Sequence, residues 1–121
     1  MKKQMEKNIF EAQTAERPVR KSVQFPTDLI VNDNRYAGNI MNISVSGVAM
    51  YVNTHFPEKT IDCKKGEILS LEVQSPLGKL IKLKCKIIWL RFQFYSAGLT
   101  TSMGMEIIGP PADFINLFNS L

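Results

Sequence analysis

Apolar and polar residues alternate along much of the chain, and the pattern breaks at regular turn signals. Val23 and Phe25 alternate with polar neighbours and Leu29 to Val31 continue the run, so the spacing predicts a first strand from Ser22 onward. NDNR at 32–35 supplies a tight turn, a second strand covers Tyr36 to Ile43, and a third covers Val48 to Val52. Residues 53–66, NTHFPEKTIDCKKG, carry the proline and charges of an exposed connection. LSLEVQ at 69–74 alternates strictly, and SPLG at 75–78 closes a hairpin into KLIKLKCKIIW. In that run Ile81, Leu83, Cys85, Ile87 and Trp89 share one face while Lys82, Lys84 and Lys86 share the other, as in a half-buried antiparallel strand. LRFQFY at 90–95 reads as a buried hairpin, because strand aromatics generally pack inward, with a protein interface as the alternative. SMGMEII at 102–108 is the sixth strand. After GPPAD, residues Phe114, Ile115, Leu117, Phe118 and Leu121 recur at helical spacing, which predicts a helix docked on the sheet by that face. The fold class expected is all-β with a C-terminal helix, the strands forming a small six-stranded antiparallel β-barrel.

The first twenty residues lack a strand pattern. Met5, Ile9, Phe10 and Ala12 line one side of a helix that Pro18 would end. The division expected is a mobile or weakly helical lead-in over 1–15 and one barrel domain over 16–121, in keeping with a length of 121 residues. No apolar run approaches the roughly 20 residues that span a bilayer. The start, MKKQMEKNIFEAQTAERPVRK, lacks the apolar stretch of a secretory signal, so a cytoplasmic location without membrane insertion is expected.

Charge sharpens this picture at one end only. Of the net charge of +4, residues 1–21 carry +3, with six Lys or Arg against three Glu. A basic lead-in attracts anions. The lysine row at 82, 84 and 86 is read as a solubilising face that discourages edge pairing. It lacks the interleaved exposed aromatics of a nucleic-acid platform, and no nucleic-acid polymer is expected as a partner. Cys63 and Cys85 stand far apart and His55 is the one histidine, so neither a metal site nor a structural disulfide is expected. There is no G-x-S-x-G elbow, no Gly-rich phosphate loop before a helix and no paired acidic cluster, which argues against an enzyme.

The chemistry concentrates in two short stretches. NISVSG at 42–47 is made of turn formers, whose hydroxyls and amides also suit a ligand, and Gly47 reaches φ > 0 and admits close approach to the backbone. RPVRK at 17–21 stands just before the first strand, and arginine both forks onto phosphate and stacks on a base. One basic lead-in and one polar turn on the same barrel make a nucleotide clamp.

An arginine-containing lead-in, a strand pair and then Asn42-x-Ser44-x-x-Gly47 resemble the PilZ domain family, whose ligand-binding members carry RxxxR followed by D/NxSxxG. KIIW ending at Trp89, a variable hairpin, Gly104 in MGMEI and a C-terminal helix are similar to the family's downstream pattern, so the resemblance covers about residues 16–121. It implies a six-stranded barrel that binds the bacterial second messenger cyclic di-GMP, with no further cofactor. Carried over by position, Asn42 and Ser44 hold guanine or a neighbouring phosphate, Gly47 allows the turn, and Arg20 is the second arginine of the first motif. The first motif departs from the pattern: Glu16 stands four residues before Arg20, Arg17 is offset by one, and Arg17 with Lys21 is the alternative pair at the family's spacing. The candidate ligand set is therefore Arg17, Arg20, Lys21, Asn42, Ser44 and Gly47. Two functions follow as expectations. One is a cyclic di-GMP receptor, monomeric or homodimeric, whose N-terminal segment changes on binding and signals to a separate partner protein. The other is a degenerate barrel that acts only through protein contacts.

Overall fold

The computed structural model describes residues 19–55 and 60–121. Six strands and one helix follow in order: β1 Lys21–Val31, β2 Asn34–Ile43, β3 Gly47–His55, β4 Ile68–Gln74, β5 Leu80–Tyr95, β6 Gly98–Ile107 and α1 Ala112–Ser120. Every pairing is antiparallel, and the strands close on themselves in the order β1-β2-β3-β6-β5-β4. The expected six-stranded barrel with a C-terminal helix is present. The expected helical side of Met5, Ile9, Phe10 and Ala12, together with Glu16, Arg17 and Pro18, lies outside the described residues.

Local chemistry sets the connections. Asn32 and Asp33 take φ of 50° and 68°, and this pair of left-handed residues makes the two-residue turn that suits the twist of the flanking strands. The β4–β5 turn is held by the Ser75 amide donating to the Lys79 carbonyl and the Lys79 amide donating to Ser75 Oγ, 3.0 and 3.1 Å. Asn53 to His55, read from sequence as loop, belong to β3 because they find register partners in Thr100, Leu99 and Gly98.

The interior is filled from every strand: Leu29, Ile40, Met50, Leu71, Ile87 and Met103 are each at most 1% exposed. A fully buried side chain of this kind contributes about 1.5–3 kcal/mol, so this interior, rather than surface ion pairs, holds the barrel closed. α1 adds Phe114, Leu117 and Phe118 to the same core. Ile115 and Leu121, expected on the docked face, are 41% and 46% exposed, because only the i, i+3, i+4 stripe meets the barrel. Cys85 belongs to the core as a small apolar residue, and burial pushes its thiol up to about 12.

The feature that shapes the outer surface is a change of phase in β5. Up to Ile87 the odd-numbered residues point inward, but the register against β6 shifts between Ile87 and Trp89. The extra residue inverts the alternation. Leu90 therefore packs against the core, while Trp89, expected on the same face as Ile87, stands outside at 38% exposed. Its partner position is Gly104, and a Cβ there would collide with the indole ring. The ring packs against the glycine.

β5 then runs on to Tyr95, pairing with β6 throughout, so LRFQFY is strand and, past Leu90, exposed. Phe92 and Phe94 are 47% and 69% exposed, correcting the buried-hairpin reading. The reason is that β4 pairs with β5 only as far as Lys86. Beyond the Ile87–Glu67 bond, β6 is the one strand flanking β5 among the described residues.

Two outcomes follow. Glu72 receives both Nη groups of Arg35, at 2.8 and 3.2 Å. That hydrogen bonding holds its carboxyl below the ordinary 4.5, with the charges of Arg35 and Lys82 adding to it against desolvation. A lowered folded value makes its stabilisation present above the ordinary pKa and lost as pH falls through the lowered one. Glu72→Gln is expected to lower Tm modestly at pH 7, and the gap to wild type should close in titrations below pH about 4. A gap independent of pH would contradict the pairing. Gly104→Ala is expected to displace the single tryptophan, shifting its emission and costing about 1–3 kcal/mol in denaturant unfolding. Unchanged emission would show that the ring does not rest on Gly104.

Candidate functional site

The start of β1 lies beside the end of β2, because Ser22 pairs with Asn42 and Lys21 with Ile43. This register brings the basic lead-in to the polar turn. Arg20 Nη1 donates to Asn42 Oδ1 at 2.9 Å, which fixes one edge of the guanidinium and leaves its other N–H groups directed elsewhere. Asn42 thus acts on Arg20, and the first arginine of the carried-over motif, Arg17, lies outside the described residues.

The turn itself is compact. The Ser44 amide donates to the Gly47 carbonyl at 2.8 Å, and the Ile107 amide of β6 donates to the Ser46 carbonyl at 2.8 Å. Ser44 Oγ is 1% exposed as part of its residue and has only long bonds, 3.4 Å to the Gly47 carbonyl and 3.4 Å from the Ser46 amide. Bonds of that length are weak. Gly47 corrects one expectation: the left-handed glycines are Gly66, Gly78 and Gly109, and Gly47 is not among them. Its value is space. A Cβ there would come within 3.0 Å of the Met105 carbonyl, so glycine is what lets β3 approach β6 beneath the turn.

Arg20, Ser44, Ser46 and Gly47 face Ile88, Trp89, Gly104, Met105 and Glu106 across an open cleft of about 170 Å³. One wall is cationic and polar, and the other carries an exposed indole with the Arg91 guanidinium 5.6 Å from the ring centroid. A flat aromatic wall facing an arginine suits a planar base joined to phosphate. A hollow of similar size beside α1, lined by Ser75, Leu77 and Ile81, is bridged by the Lys79–Asp113 pair at 3.3 Å and lacks such convergence.

Lys21 is placed elsewhere. Its Nζ donates to the Phe118 and Leu121 oxygens at 2.9 and 3.1 Å and stands 4.2 Å over the Phe118 ring. It is a cation on the negative end of α1 and does not line the cleft. Of the sequence-derived set, the cleft gathers Arg20, Ser44 and Gly47, with Asn42 behind Arg20. The wall residues Ile88, Trp89, Met105 and Glu106 were missed. The available signal was Gly104 inside an otherwise bulky strand, since a glycine there marks the close approach of another group. His55 lies at the far end of β3, with Nδ1 3.5 Å from the Tyr95 hydroxyl, away from the cleft. Among the described residues no group of three or more His, Cys, Asp or Glu forms a candidate metal site, and no helix is long and apolar enough to cross a membrane.

Comparison with known proteins bears on this arrangement. No curated protein sequence matches the chain significantly. Among solved structures, the Bacillus subtilis inhibitor of motility MotI/DgrA is 17% identical with a TM-score of 0.61, over 86% of this chain and 48% of that one. The PilZ domain of YcgR from Escherichia coli, solved with c-di-GMP, is 11% identical with a TM-score of 0.67, over 86% of each chain. The Borreliella burgdorferi PlzA protein, in complex with c-di-GMP, is 12% identical with a TM-score of 0.63, over 93% of this chain and 53% of that one. The chain thus spans about half the length of MotI/DgrA and PlzA. At these identities the likeness is one of fold. The sequence profile of the PilZ domain matches residues 14–113, and the chain belongs to the PilZ domain family.

Proposed function

We propose that this protein is a cyclic di-GMP receptor that works as an adaptor and not as an enzyme. The observation that carries the reading is the Arg20–Asn42 hydrogen bond, which holds a guanidinium at the mouth of a cleft between the Ser44–Gly47 turn and Trp89. Arg20 forks onto phosphate or guanine, Ser44 exchanges its long bonds for one to the ligand, and a base lies along the indole. Two similar structures, the YcgR PilZ domain and PlzA, hold c-di-GMP. Arg17 completes the cation set from the lead-in. Folding of that basic segment over the nucleotide is the signal: it changes the surface offered to a separate partner protein in the cytoplasm.

A second reading, a barrel that acts through protein contacts alone, draws on the exposed Phe92 and Phe94. Solvent-exposed aromatics on the protruding end of one strand are the kind of apolar surface that marks an interaction site.

One calorimetric titration separates the two readings. Wild type is expected to give saturable heat with cyclic di-GMP and none with GTP. Arg20→Ala should weaken binding about ten- to hundred-fold, the loss of one charge-assisted hydrogen-bonded contact of about 1.5–3 kcal/mol. Asn42→Ala should weaken it less and leave Tm near wild type. Absence of heat from folded wild type would move the function to the aromatic surface, and full affinity in Arg20→Ala would remove Arg20 from the site.

A further inference from the structure

Glu106 is a carboxylate in a cleft built for an anion, and that combination calls for a reason. It lies in β6, opposite Gly47 on one side and Lys86 on the other. Because Gly47 has no side chain, nothing on the β3 side stands between the carboxylate and the cleft it lines. It is the sole acid among the described lining residues, and among the described residues it makes no ion pair. The family motif allows Asp or Asn at position 42. Here that position is an asparagine whose carbonyl is taken up by Arg20, so the motif itself brings no carboxylate to the cleft.

We propose that Glu106 reads the base of the bound nucleotide and selects guanine over adenine. This rests on the cyclic di-GMP reading and adds the source of its base specificity. Guanine presents two adjacent donors, N1–H and the N2 amino group, and an ionised carboxylate accepts both in parallel. Adenine presents one donor beside the N1 lone pair, which a carboxylate repels. Arg20, Trp89 and Glu106 line the same cleft, so a nucleotide with its phosphates toward Arg20 and a ring beside Trp89 brings its base within reach of the β6 wall that carries Glu106. The repulsion between carboxylate and dianion is then offset only by a base with two donors.

The test exploits a difference in sign. Glu106→Gln keeps the size of an exposed side chain, and a glutamine amide donates to adenine N1 while accepting from its amino group. Affinities of wild type and variant for cyclic di-GMP and cyclic di-AMP are measured at one salt concentration, with Tm as a control on folding. Expected are a loss of about tenfold or more for cyclic di-GMP in Glu106→Gln and a gain for cyclic di-AMP. If Glu106 only repels phosphates, removal of its charge will tighten both ligands, and that result overturns the proposal while leaving the receptor reading intact. Wild type that binds neither dinucleotide overturns the receptor reading and this proposal with it.

Discussion

The outer surface of this barrel depends on one packing constraint, the indole of Trp89 lying on the backbone of Gly104. The contact goes with the register shift at Ile88, which turns Trp89 out of the core and Leu90 into it. Without the shift Trp89 would follow Ile87 inward and compete for volume with Met103 and Met105. With it, β5 supplies both the floor of the core, through Ile81 to Ile87, and the apolar wall of the cleft. The early end of β4 pairing leaves Phe92 and Phe94 standing in solvent. The apolar wall of the cleft is thus the result of one irregularity in one strand.

Two adjacent basic residues at the start of β1 do different work. Arg20 reaches Asn42 at the edge of the cleft, while Lys21 reaches the last carbonyls of α1 and the face of Phe118. Alternate residues of a strand point to opposite sides, so a single dipeptide ties the lead-in both to the ligand turn and to the C-terminal helix. Arginine and lysine are not interchangeable in this arrangement. A planar fork is needed where one edge is held by Asn42 and the other is offered outward, and a compact ammonium suits converging carbonyls at a helix end.

Much of the barrel was legible because its strands alternate with period two and its turns carry their own chemistry: Asn32-Asp33, Ser75 to Lys79 and the Phe114, Leu117, Phe118 stripe sit where pattern alone put them. The departures share a cause. Trp89 was assigned by extending the alternation of KLIKLKCKII through a bulge, and periodicity carries no record of an inserted residue; LRFQFY was assigned by the general inward packing of strand aromatics, which fails where β4 no longer flanks β5. Lys21 was grouped with Arg20 because they are neighbours in sequence, whereas the strand separates them in space. The second motif was read correctly as a turn, yet the reason for Gly47 is the Met105 carbonyl of a distant strand, which only the β3–β6 register reveals. Glu106 was invisible for the same reason, since its relation to the turn is made by strand pairing.

The central claim, that the cleft between the Ser44–Gly47 turn and Trp89 is the nucleotide site, is tested most directly by following backbone and indole N–H resonances during a cyclic di-GMP titration. The account predicts that the largest shifts fall on Arg20, Ser44 to Gly47, the Trp89 indole and Met105 to Glu106, with the far end of the barrel around His55 and Gly98 unmoved. Shifts centred on the helix-side hollow or on the Phe92–Phe94 surface, with the cleft unchanged, would contradict it.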